Sequence, residues 1–82
     1  MNEKTSNFYK LLEDVKQELY HGCGNFSKLS FIVQLFNIKC IFGLSAKVID
    51  VILILLTKAF PQGNKVPKSY FEARKIIREL GA

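Results

Sequence analysis

Tryptophan is absent from this sequence, histidine occurs once, and cysteine and proline occur twice each. Each scarcity removes a class of protein. His21, Cys23 and Cys40 fall short of the four ligands, at paired short spacings, that a structural zinc site requires, so no metal is expected. A lone His21 leaves no evident nucleophile–base pair, and the scattered carboxylates show none of the convergence that divalent-metal chemistry needs. Glycines at 22, 24, 43, 63 and 81 form no Gly-rich phosphate loop, and no cofactor is expected. Residues 1–20 are polar and amphipathic, not an apolar leader, so the thiols are expected to stay reduced and the chain not to be secreted. Long hydrophobic runs are missing too. Lys39, Lys47 and Asp50 interrupt the most apolar stretch, and the uncharged run Val51–Thr57 is far short of the ~20 residues of a membrane span. A membrane is therefore not an expected partner.

What is present suits one small domain. The 82 residues are 49% hydrophobic and 23% charged, with no repeat and no low-complexity tract. A chain of this size buries only about 60–65% of its unfolded surface, so its core is thin and a deep active site is not expected. The net charge of +5 is uneven: residues 1–20 sum to −1, residues 21–60 to +3 and residues 61–82 to +3. A basic surplus of this kind suits a polyanionic partner, although it also lies within ordinary solubility charge for a small domain.

Breakers at His21–Asn25, Gly43–Ser45 and Pro61–Pro67 divide the chain into four pieces, each with helical periodicity. The first, about residues 6–20, places Phe8, Leu11, Leu12, Val15 and Leu19 on one face, with Thr5, Ser6 or Asn7 as a cap and Gly22 as a stop. The second, about 27–42, is apolar nearly all round. Leu29, Ile32, Val33, Phe36 and Cys40 line one side, Phe31, Leu35, Ile38 and Phe42 flank it, and only Lys28, Gln34, Asn37 and Lys39 are clearly polar, so it is expected to be the central helix. The third, about 46–60, is capped by Ser45 and stopped by Pro61. Its polar stripe of Lys47, Asp50, Thr57 and Lys58 is interrupted by Ile54, an exposed apolar spot suited to contact with another chain. The fourth, about 69–80, opens on the capping box Ser69–Glu72 and buries Tyr70, Ala73, Ile76, Ile77 and Leu80. Asp14 and Asp50 are both expected on solvated faces.

No catalytic constellation emerges, which predicts a non-enzyme with no small-molecule substrate. The basic cluster Lys65, Lys68, Arg74, Lys75 and Arg78 is the leading candidate surface, because a cationic helix after a turn is a layout for docking on DNA. The short turn between the second and third helices also fits a helix-turn-helix. A competing use of the same cations is a solvated face laced by Glu72–Lys75 and Lys75–Glu79 pairs.

The segments Glu18-Leu19-Tyr20, Gly22-Cys23, Phe26–Phe31, Leu35-Phe36, Lys39-Cys40, Ala59-Phe60-Pro61 and, most specifically, Pro67–Gly81 resemble part of the large transposase of plant CACTA (En/Spm-type) transposons. The resemblance covers about residues 10–81. It implies a nuclear plant protein of mobile-element origin, in a region between the transposase-associated and catalytic domains, and assigns no catalytic residue here; a nuclear or cytoplasmic location is expected. That family usually has Trp where Leu44 stands, Pro where His21 stands and Glu where Ile54 stands. Exchanging a charge for Ile54 makes the surface stickier, which together with Leu44 marks a candidate interface for a homodimer or another protein. The expectation is thus an all-α, compact bundle of about four short helices, helix-turn-helix-like, that binds DNA through its last helix. The alternative is a protein–protein or dimerisation module using Leu44 and Ile54.

Overall fold

Four helices form, as their periodicity and caps require, in a computed structural model that describes the backbone of residues 3–81 and the side chains of 6–81. They are α1 (Glu3–Lys16), α2 (Lys28–Phe42), α3 (Ala46–Ala59) and α4 (Tyr70–Glu79). Local chemistry sets most of their ends. The Ser27, Ser45 and Ser69 hydroxyls accept the N–H of Ser30, Val48 and Glu72 respectively, each satisfying an otherwise orphaned donor of a first turn. Gly43 closes α2 in the left-handed region at φ 62°, and the Leu44 N–H reaches back to the Lys39 carbonyl at 3.0 Å. The capping box at α4 forms with a shift of one residue, since Glu72 Oε2 accepts the Lys68 N–H at 3.3 Å.

The first helix departs from the expectation. It starts at Glu3, so Ser6 and Asn7 sit within its first turns instead of capping it, and the Thr5 side chain lies outside the described residues. It also ends at Lys16, four residues before Tyr20. Residues 17–20 form a bent segment bridged antiparallel to 26–28 at Glu18 and Ser27. The Leu19 N–H donates to the Phe26 carbonyl, and the Lys28 N–H to the Gln17 carbonyl, both at 2.9 Å. Gly22 and Gly24, at φ 94° and 77°, reverse the chain between these segments and are turn residues, not a helix stop. Backbone pairing across this arch replaces the helical bonds that a longer α1 would have made.

Two adjoining clusters make the core. Leu19, Leu35, Ile49, Leu53 and Val66 form one, joined by the Tyr20 and Phe60 rings at 4.8 Å. Val15, Ile32, Ala73 and Ile76 form the other, and Phe31 packs against both. α2 thus contributes to each cluster, but it is not covered all round: Val33, Ile38, Cys40, Ile41 and Phe42 are exposed. Two polar expectations are corrected as well. Asp14, expected on a solvated face, is half-buried and accepts the buried Lys28 ammonium at 2.9 Å. Asp50 turns inward to accept the Tyr70 N–H at 2.7 Å. Both aspartates therefore brace the interior ends of helices.

Candidate nucleic-acid interface

Of the five cations singled out in the sequence, three lie on α4 and two in the loop before it. α4 buries Ala73 and Ile76, so its 3.6-residue period turns Arg74, Lys75 and Arg78 outward. Phe71 stands among them, three, four and seven residues before Arg74, Lys75 and Arg78, and is 70% exposed. Lys68 is exposed at the mouth of the helix. Lys65 belongs to the loop: it is half-buried, and its N–H donates to the Leu19 carbonyl at 2.6 Å. Asn64 organises that loop, donating to the Thr57 and Pro61 carbonyls and accepting the Val66 N–H. Lys75 reaches Glu79 only at 4.0 Å, with both side chains open to water, so this pair neutralises little of the face. The Glu72–Lys75 pair does not occur; Glu72 faces the Lys68 N–H instead.

Arg74 and Arg78 share the Tyr70 ring with Lys39 of α2, a cation outside the sequence cluster. They line an open concavity of about 330 Å³ with Phe36, Tyr70 and Ile77. The Phe36 and Tyr70 rings lie 5.5 Å apart, and Lys39 Nζ sits 5.0 Å from the Tyr70 ring centre. Three cations from α2 and α4 therefore gather about two aromatic rings, and no carboxylate lines the concavity among the described residues. Lys39 was legible only as a polar position on α2, because its approach to Tyr70 depends on how α2 and α4 pack. A larger concavity of about 530 Å³ between α1 and α4 is lined by Asn7, Phe8, Leu11, Arg78 and Glu79. It brings together no nucleophile with a base.

The two candidate interface residues have different fates. Leu44 is half-buried and packs against the first core cluster. Ile54 is exposed, as its place on the polar stripe predicts, but it is not the centre of the exposed apolar surface. Ile41, Phe42, Val51 and Leu55 are 63–72% exposed, against 49% for Ile54. The stripe read from Asp50 and Thr57 was displaced because Asp50 faces α4, which rotates Val51 and Leu55 outward. This outcome also bears on the helix-turn-helix expectation. α2, the turn and α3 have its connectivity, but the second helix presents an apolar outer face where a groove-reading helix carries polar and charged groups.

Among the described residues, no group of three or more His, Cys, Asp or Glu side chains is placed to hold a metal ion. No helix among them is long and apolar enough to cross a membrane. No protein-family model matches the chain, and no curated protein or solved structure matches it.

Proposed function

We propose that this protein is a non-catalytic DNA-binding module of transposase-derived origin, acting in the nucleus or cytoplasm of a plant cell. The observation that carries the reading is the gathering of Lys39, Arg74 and Arg78 around the Phe36–Tyr70 floor, with Lys75 and Phe71 on the adjoining face of α4. Guanidinium and ammonium groups on one helix face supply phosphate contacts, which fix register and give most of the affinity. An exposed aromatic among cations adds an apolar surface for sugar or base edges. The transposase origin rests on the resemblance of Pro67–Gly81, the segment that builds α4.

The test is a titration of labelled duplex DNA at low and moderate salt. Affinity is expected to fall steeply as salt rises, and the double substitution Arg74→Gln, Arg78→Gln is expected to weaken binding and flatten that dependence. Binding that ignores salt, or that the double substitution leaves intact, overturns the reading.

A second reading, a protein–protein or dimerisation module, is favoured by one specific observation: Ile41, Phe42, Val51 and Leu55 are more exposed than isolated surface apolar residues require.

A further inference from the structure

α3 carries more apolar side chain than the core takes up. Its buried side is centred on Ile49 and Leu53. Val48, Val51 and Leu55 recur on the opposite side at spacings of three and four, with exposed Ile54 beside them. Lys47 and Lys58 are exposed on the same outer side, one toward each end of the strip. Between Leu19 and Phe71 the sequence has a single carboxylate, Asp50, and it is committed to the Tyr70 N–H. The outer face of α3 therefore joins an apolar seam to two ammonium groups, with no counter-charge of its own.

We infer that this face docks an amphipathic helix of a different protein, one whose apolar strip is flanked by Asp or Glu. The inference deepens the second reading above and is independent of DNA binding, which uses another helix and other chemistry. The three-and-four spacing is the seam periodicity that accepts the side chains of a facing helix. Charge selects the partner. An antiparallel pairing of two copies centred between Val51 and Ile54 sets Lys47 of one copy opposite Lys58 of the other. A parallel pairing sets each lysine against itself. Like charges meet in both arrangements with no acid to relieve them, whereas acidic flanks on a different helix satisfy both ends. Two lysines are few for attachment to a lipid surface, which takes a polybasic patch or a second anchor.

The experiment titrates the full chain with two designed helical peptides that share a leucine/isoleucine seam, one flanked by Glu and the other by Lys. The Glu-flanked peptide is expected to bind about tenfold more tightly or better. Val51→Ser with Leu55→Ser is expected to reduce that binding about tenfold, with circular dichroism and DNA affinity unchanged. Lys47→Glu with Lys58→Glu is expected to reverse the preference toward the Lys-flanked peptide, an outcome that loss of folding cannot produce. Equal binding of the two peptides, or binding of neither, overturns the inference. So does a wild-type dimer in light scattering that Leu55→Ser dissolves, which assigns the face to a second copy. Co-sedimentation with phosphatidylserine vesicles without peptide preference assigns it to a lipid surface and overturns it equally.

Discussion

Lys28 at the first turn of α2 donates to Asp14 in the last turn of α1, with Nζ and Oδ2 2.9 Å apart. The two ends of this bond differ in their access to water: the lysine side chain is 10% exposed and the aspartate 36%. Losing the aspartate leaves a buried ammonium without a partner, whereas losing the lysine leaves a carboxylate that water can reach. Asp14→Ala is therefore expected to destabilise by about 1–2 kcal/mol, and Lys28→Met by less than about 1 kcal/mol. Urea denaturation of both variants checks the asymmetry; equal losses would contradict it.

Asp50 plays a corresponding part at α4. Its Oδ1 accepts the Tyr70 N–H at 2.7 Å, so a side chain of one helix satisfies the first donor of another. Asp50→Ala is expected to cost about 1–2 kcal/mol, with Asp50→Asn retaining part of that. Hydrogen exchange of the first-turn amides of α4 reports the loss locally, and unchanged protection there would argue against it.

The division of the cations gives a prediction that the sequence alone reverses. Lys39 was not in the basic cluster and Lys65 was, yet Lys39 joins Arg74 and Arg78 while Lys65 is held in the loop. Lys39→Gln is expected to weaken DNA binding more than Lys65→Gln. The pair Arg74→Gln, Arg78→Gln is expected to lower the slope of log K against log salt by roughly 2. Anisotropy titrations at several salt concentrations measure both.

Within α3, apolar residues on opposite faces should differ widely in what their loss costs. Ile49 is fully buried, so Ile49→Ala is expected to cost about 3 kcal/mol through lost transfer and a residual cavity. Leu55 is 63% exposed, so Leu55→Gln is expected to alter stability by no more than about 0.5 kcal/mol. Thermal denaturation of the two variants distinguishes a core position from a free outer face.

Much of the architecture was legible because it is written locally. Ser45, Ser69 and Gly43 act through bonds to residues within a few positions, and three helix boundaries follow from them. The end of α1 was not legible. Leu19 keeps the helical spacing from Val15 and is buried as that spacing predicts, but it is held by Phe26 and Lys65, whose pairing no local pattern announces. The candidate site was legible as far as α4. Its second half, Lys39 with Phe36, appears only when α2 and α4 are packed. Asp50 misled for a related reason: a charge on a helix was read as solvated, and its burial against Tyr70 rotates the exposed strip from Ile54 toward Val51 and Leu55.

The bond from the Lys65 N–H to the Leu19 carbonyl has a kinetic consequence. α1 packs on α2 and α3 on α4, so each helix pair joins neighbours along the chain and can form early, with little loop-closure entropy. The 17–20 arch and the 61–69 loop meet only when both pairs are in place. That closure is expected to be late in folding and early in unfolding, so stabilising it would slow the unfolding rate while leaving the folding rate nearly unchanged.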